Sequence, residues 1–192
     1  MSTPADYSSP AWAQRLISEL AATARRAEHV AQGLSQEQLN WRPRPDSWSV
    51  GQCLEHLRVT NDVYLPVIST ALEGRQRSPV LEITPGRFTR WFIRNYIAPN
   101  PGGARARAPK KVDPAKQVDP DILEAFLRSN QVVRELVTKA SAYDVNRIRF
   151  KNPFIPLLRF TVGGGLEIVT QHQGRHLLQA ETVKQSPGFP AH

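Results

Sequence analysis

The chain has 192 residues, of which 40% are hydrophobic, with a formal net charge of +8 and a single cysteine. This length suits one domain with a real core, and the composition excludes disordered and fibrous classes. No apolar run is long enough to cross a membrane, and the first residues lack the features of a signal peptide. One cysteine excludes an internal disulfide and suits a reducing compartment, so we expect a single-domain cytoplasmic protein spanning residues 1–192.

The positive charge is concentrated in one segment. Residues 86–118 contain eight basic residues and one acid, whereas the rest of the chain has 17 basic and 16 acidic residues. Such a segment could contact phosphate groups or anionic lipid. A solvated loop, or a positive rim that attracts an anionic small substrate, is the more common role. We therefore expect a small-molecule substrate rather than a nucleic acid.

The chain opens with a loose tail over residues 1–9, followed by the first predicted helix. Pro10 suits a first helical position, and apolar residues recur at helical spacing to about residue 32. Gly33 ends this helix. Residues 34–48 contain two prolines, which predict an extended connection.

The second predicted helix begins with a capping box, in which Ser49 and Gln52 satisfy each other's backbone N–H groups. The helix continues to about residue 73. His56 lies on its inward face, and Cys53 lies one turn earlier. Cys53 could be a nucleophile or a fourth metal ligand, but a small buried filler of the core is the favoured role.

Residues 74–118 are interpreted as a long basic insertion between the second and third helices. Aromatic residues at helical spacing predict a short amphipathic helix between Phe88 and Tyr96 that closes one end of the bundle. A membrane-surface helix is the alternative. From residue 99 to 120 the composition turns to Pro, Gly, Ala and Lys/Arg, which predicts a mobile loop.

The third predicted helix has Asp119 as its N-cap and Pro120 at its first position, and its apolar stripe continues to Ala140. Residues 143–162 are predicted to be an irregular connection that passes near the core. The run of glycines at 163–165 is expected to form a flexible turn just before the last helix. Its spacing matches neither a P-loop nor a dinucleotide-binding motif.

Two histidines in the last predicted helix carry the most specific functional signal. His172 and His176 are four residues apart and therefore lie one above the other on the apolar face. Two such imidazoles can share a metal ion, although a hydrogen-bonded or an exposed pair is the alternative. His56 adds a third inward imidazole from another helix. Three protein ligands with open positions are typical of a catalytic metal site.

Four amphipathic helices predict an all-α fold, an antiparallel four-helix bundle that can hold a metal on facing helices. Two motifs resemble the DinB-like superfamily, from the first helix through the fourth. They are Trp41-Arg42-Pro43-x-Pro45-x-x-Trp48-Ser49-Val50-Gly51-x-x-x-Glu55-His56-Leu57 and His172-x-x-x-His176-x-x-Gln179. The resemblance implies a divalent metal centre with His56, His172 and His176 as ligands.

The resemblance also implies an enzyme. Characterised relatives include thiol S-transferases that use bacillithiol or mycothiol and a mycothiol-dependent maleylpyruvate isomerase, and many others are called metal-dependent hydrolases. We therefore expect a metal, with zinc favoured and nickel able to bind, that activates a thiol or water nucleophile. A low-molecular-weight thiol is a candidate cofactor. Arg175 and Gln179 are candidates for contacts with substrate or for support of the ligands.

Two other interpretations of the sequence stay open. The first is a non-catalytic, stress-associated metal-binding protein whose basic segment contacts nucleic acid or anionic surfaces. The second is a metal-free bundle that keeps its histidines as relics. The sequence leaves the oligomeric state open, with a homodimer as one option.

Overall fold

The computed structural model describes residues 9–99, 109–155 and 157–191, and four long helices dominate this part of the chain. They are α1 (Ala11–Ala31), α3 (Val50–Leu72), α5 (Ile122–Ala140) and α6 (Val162–Lys184). The shorter elements are α2 (Gln36–Asn40), α4 (Arg87–Phe92) with a π-helical continuation (Ile93–Ile97), a 3₁₀ turn (Lys110–Val112), and the antiparallel strands β1 (Arg149–Lys151) and β2 (Arg159–Thr161). The predicted four-helix bundle is confirmed. No helix among these residues is long and apolar enough to span a bilayer.

Contacts between the long helices give their directions. α1 and α6 run the same way, and so do α3 and α5, because residue numbers rise together along each pair. The contacts are Arg15 with Glu167 and Arg26 with Glu181, and Asn61 with Ser129 and Ser69 with Lys139. The two pairs are antiparallel to each other, since His56 of α3 lies beside His172 of α6 whereas Ile68 lies beside Gly165.

The consecutive helices α3 and α5 are therefore parallel, and the chain between them must return along the bundle. α3 has 23 residues, which corresponds to about 34 Å at the usual helical rise. Residues 73–121 make this return and form one long crossover, as in some other helical bundles. The length of the segment interpreted as an insertion thus follows from the topology.

The crossover packs against the bundle on both sides of residues 100–108, which lie outside the described residues. Before that gap, Ile93 and Ile97 are buried in the core, which agrees with the short helix predicted for this region. After it, Val112 and Val118 are buried, and the Gln52 side chain donates a hydrogen bond to the Ala115 carbonyl. The prediction of a mobile loop is wrong for residues 109–118, because two valines in this stretch are buried in the core. The surrounding prolines and lysines conceal this in the sequence.

A buried polar layer separates the two apolar clusters of the core. Gln173 is fully buried and accepts a hydrogen bond from Asn130. The amide of Gln173 also donates to Asn61, which in turn donates to Ser129. These bonds join α3, α5 and α6 with each polar group satisfied, as buried polar groups require. The layer fixes the positions of the helices along the axis of the bundle. The three histidines belong to two of these helices, α3 and α6.

The secondary structure agrees with the prediction from sequence in three places and differs from it in three. The first helix, the Ser49–Gln52 capping box and the end of α3 are as predicted. α2 was missed, although Ser35 and Gln38 form a second capping box of the same S-x-x-Q pattern. α5 begins at Ile122, with Asp121 and not Asp119 as its N-cap. The β hairpin was missed because its strands have three residues each, too few for an alternating pattern to show.

The glycine run is part of α6 and not a turn before it. Thr161 caps the helix by accepting a hydrogen bond from the Gly164 N–H group. A Cβ atom on Gly165 would lie 2.5 Å from the Phe150 ring of β1. These glycines therefore allow the hairpin and the crossover to approach the helix closely, and the prediction of a flexible turn is wrong.

Candidate metal centre

The antiparallel pair α3 and α6 brings the three predicted histidines together. His56 projects from the second turn of α3, whose start is held by the Ser49–Gln52 capping box. His172 and His176 project from consecutive turns of α6. His56 is buried, and His172 and His176 are half-buried, with rings that are largely shielded from water. The centre therefore lies between α3 and α6, mostly out of contact with water.

The three Nε2 atoms point at one another. The Nε2 atom of His172 lies 3.3 Å from that of His56 and 3.1 Å from that of His176. One ligand atom from each ring lies within 4.8 Å of the others, and no other such group of His, Cys, Asp or Glu occurs among the described residues. Two ligands on a tetrahedral ion at the usual zinc–nitrogen distance lie about 3.3 Å apart. The spacing of the donor atoms therefore fits one small divalent cation.

The Nδ1 atoms of two rings are held by oxygen acceptors. His56 Nδ1 lies 2.7 Å from the carbonyl oxygen of Val112. A carbonyl can only accept, so Nδ1 carries the proton and Nε2 keeps its lone pair. His176 Nδ1 lies 3.0 Å from Oε1 of Gln179, which favours the same tautomer. Support of this kind is what metal-binding histidines usually receive.

Burial keeps these imidazoles neutral. It lowers the pKa of His56, although the hydrogen bond to Val112 partly opposes this change. The pKa of His172 lies well below its usual range because of burial and, to a lesser extent, the neighbouring His176 and His56. Burial lowers the pKa of His176 to about 3. All three rings are therefore deprotonated at neutral pH, as metal ligation requires.

A tryptophan forms one wall of the centre. The Trp48 ring lies 4.7 Å from the His56 ring and 5.4 Å from the His176 ring, measured between centroids. Trp48 precedes the Ser49 N-cap, so the start of α3 places it there. In the sequence, Trp48 stands out only as a member of the first of the two motifs. Neither Trp48 nor the Val112 carbonyl was predicted as part of the site.

The other three candidates lie at different distances from the centre. Cys53 is fully buried in the apolar cluster that also contains Leu54 and Leu57, and burial raises the pKa of its thiol. Gln179 contacts a histidine directly, as described above. Arg175 reaches across to the end of the π-helical turn, where its Nη1 atom donates to the Ala98 carbonyl at 3.4 Å. Gln179 is bonded to a ligand ring, and the positive charge of Arg175 contributes to the lowered pKa of His172 and His176.

A groove of about 450 Å³ lies on the adjacent face of α6. Three arginines line it, Arg15, Arg90 and Arg94, together with Glu167 and Gln171. Glu167 and Arg15 are bonded to each other, so their charges cancel and Arg90 and Arg94 give the groove its net positive charge. Gln171, which also lines the groove, precedes His172 in α6.

The sequence model of the DinB superfamily matches residues 19–180 of this chain. The chain belongs to the DinB superfamily. This confirms the resemblance seen in the two sequence motifs. The chain is also similar to YuaE of Bacillus subtilis (strain 168), which is named as an uncharacterized protein. The two sequences are 26% identical over 159 residues, which cover 80% of this chain and 87% of YuaE.

The same fold is found in a protein of known structure. YfiT from Bacillus subtilis is described as a probable metal-dependent hydrolase with an unusual four-helix bundle topology. Its structure matches this one with a TM-score of 0.59 over 96% of this chain and 92% of YfiT, at 16% identity. At this identity the likeness shows the fold, and the three-histidine cluster is compatible with a metal-dependent activity.

Proposed function

We propose that this DinB-superfamily protein is a metal-dependent enzyme in which His56, His172 and His176 hold one divalent cation. The direction of the ring nitrogens carries this proposal. The three Nε2 atoms converge, while the Nδ1 atoms of His56 and His176 are held by oxygen acceptors. The chain thus directs three neutral ring nitrogens at one point. A single proton cannot bind the lone pairs of all three nitrogens, whereas one metal cation can.

A divalent cation held by three imidazoles supplies Lewis-acid activation of a thiol or water nucleophile. Zinc suits such a centre best, and nickel also binds imidazole readily. The residues of the chain fix the geometry: Val112 and Gln179 orient two rings, and Trp48 shields one side from water. Thiol transfer with a low-molecular-weight thiol and hydrolysis both fit these elements.

The arginine-lined groove supports an anionic small molecule as the substrate. Arg90 and Arg94 are exposed at its edge, and Arg15 extends into it from α1. Arginine binds carboxylate and phosphate groups in a two-pronged geometry. Replacing Arg94 with Gln should therefore raise KM for anionic substrates while leaving KM for neutral analogues unchanged.

The test combines metal content with turnover. Protein purified without a nickel column should contain a stoichiometric divalent metal by mass spectrometry. It should convert members of a panel of low-molecular-weight thiols with electrophiles, or of esters and amides, and a chelator should abolish this activity. His176→Ala should lose metal and turnover together, whereas the exposed His29→Ala should lose neither.

Two results would contradict the proposal. Turnover that persists unchanged in metal-free protein would exclude a role for the metal in the reaction. If His176→Ala lowers the melting temperature but changes no reaction rate, the metal would be a structural element. The second outcome is disfavoured because the described residues bring only three candidate ligands together, whereas structural zinc sites are normally closed by four protein ligands.

A further inference from the structure

The outer surface around α4 exposes an unusual set of side chains. Seven large hydrophobic residues are exposed among the described residues, and five of them belong to α4 with its π-helical continuation or to the β hairpin. These five are Phe88, Trp91, Tyr96, Ile155 and Leu157. Leu157 at the hairpin tip is 98% exposed. Such a concentration on a small part of the surface marks a contact face more often than chance.

The two elements adjoin through aromatic contacts. The ring of Phe160 in β2 lies 6.2 Å from that of Phe88 and 5.6 Å from that of Phe92, between centroids. The row continues outward, because Trp91 lies 5.7 Å from Phe88 and 5.5 Å from Tyr96. The hairpin tip, with Ile155 and Leu157, directly precedes the strand that carries Phe160. We call this set of exposed hydrophobic residues the aromatic patch.

The two stretches of chain that carry the aromatic patch are rich in basic residues. Residues 84–99 contain three arginines, residues 147–161 contain four basic residues, and neither stretch contains an Asp or Glu. Of these seven basic residues, Arg147 is paired with Asp144. Arg87, Lys151 and Arg159 are exposed, and none of them forms an ion pair within the part of the chain that the structure describes.

We propose that the aromatic patch and its basic rim dock the protein peripherally on an anionic lipid surface. Trp and Tyr favour the membrane interface, and Lys and Arg near it are attracted by anionic headgroups. Aliphatic side chains at a hairpin tip, such as Leu157 and Ile155, gain by entering the acyl region. The ring contacts that hold the aromatic patch together do not include the three histidines, so docking is proposed in addition to the reaction and not as a step of it.

Two other occupants fit the surface less well. A nucleic acid would use the aromatic rings and the arginines, but it offers nothing to an exposed leucine and isoleucine. A second copy of the chain would bring two surfaces of the same charge together, because a two-fold interface uses the same patch on both sides. Only an anionic apolar partner complements both the charge and the aliphatic tip.

The experiment is co-sedimentation of the full chain with phosphatidylcholine vesicles, with and without phosphatidylserine. Binding should require phosphatidylserine and decrease with salt. Each removed charge should lower the partition coefficient about fivefold, so Lys151→Gln with Arg159→Gln should lower it about 25-fold. A matched pair at remote sites, Arg25→Gln with Arg128→Gln, should change it far less.

Trp91 tests the contribution of the apolar side chains. Trp91→Ser should lower binding about tenfold or more, whereas Val132→Ser, at 47% exposure close to the 45% of Trp91, should not. Trp91→Phe should retain binding but lose the blue shift of fluorescence that vesicles induce in the wild-type protein. Circular dichroism and metal content of each variant verify that the fold and the centre are intact.

Three results would overturn the proposal. The first is no association with phosphatidylserine vesicles. The second is binding to a single-stranded oligonucleotide with no binding to vesicles. The third is a dimer in solution that Trp91→Ser converts to a monomer, since the patch would then be covered by a second copy.

Discussion

Gln179 offers the sharpest test of how the chain prepares its histidines. Its Oε1 atom lies 3.0 Å from His176 Nδ1, one turn along α6. Removing such a support of a metal ligand typically lowers metal affinity 10- to 100-fold. Gln179→Leu should therefore weaken zinc binding by that factor, or about 1.4–2.7 kcal/mol. The backbone carbonyl that supports His56 cannot be removed by substitution, so Gln179 is the position open to this test.

The matched variant is Gln179→Glu, which leaves an acceptor of greater strength on the same ring nitrogen. It should retain or raise zinc affinity, because a carboxylate makes the imidazole more basic. Competition with a chromophoric chelator at neutral pH measures both affinities, and urea unfolding of the metal-free variants tests for changes in fold stability. If Gln179→Leu binds zinc as tightly as the wild type, the contact does not orient His176 and the argument from ring tautomers fails.

Three further predictions concern stability. Gly165→Ala should destabilise the protein by about 1–3 kcal/mol because its Cβ would overlap the Phe150 ring. Gly174→Ala in the same helix, where the nearest neighbour of the new Cβ is 3.5 Å away, should stabilise the protein by up to about 1 kcal/mol. The denaturant midpoint should therefore fall for the first variant and rise for the second, and shifts in the same direction would contradict the described packing. Ser49→Ala should lower the free energy of unfolding by about 1 kcal/mol through loss of the N-cap without abolishing metal binding in the chelator assay; an unchanged free energy would show that this cap is dispensable. The free energy of unfolding of the metal-free protein should decrease as pH falls from about 6.5, the pKa of an imidazole in the unfolded chain, toward the pKa of about 3 for His176 in the folded protein. Over this range the unfolded chain binds protons that the buried His176 ring does not bind. Urea titrations at several pH values should show a weaker dependence of the unfolding free energy on pH for His176→Leu, and an equal dependence would place the proton uptake elsewhere.

The parts of the site that the sequence predicts are those with a local pattern. The four-residue spacing of His172 and His176 places both on one helix face, and the inward stripe of the second helix selects His56. The Ser49–Gln52 capping box locates the start of that helix within a residue. Each of these signals needs only neighbours within one or two turns of the same helix.

The parts that the sequence does not predict depend on distant chain segments. The Val112 carbonyl is a backbone group, and every residue has one, so no residue type identifies it in advance. Its role depends on where the crossover docks, which follows from the parallel arrangement of α3 and α5. The glycine run is similar, since only the position of Phe150 on the hairpin shows why Gly165 is required inside a helix. The Ser35–Gln38 capping box can be found in the sequence. It was overlooked because the two prolines that follow it favoured an extended connection.

The crossover has a consequence for the order in which the centre can form during synthesis. His56 and His172 are 116 residues apart in sequence, and the carbonyl that holds His56 lies 56 residues after it. A growing chain can form α3 and dock the crossover long before α6 emerges from the ribosome, since segments made earlier begin to fold first. At that stage His56 is oriented but has no second ligand. If the proposed centre binds a metal, the ion can be acquired only after α6 docks, and it would then link residues 116 positions apart in the sequence.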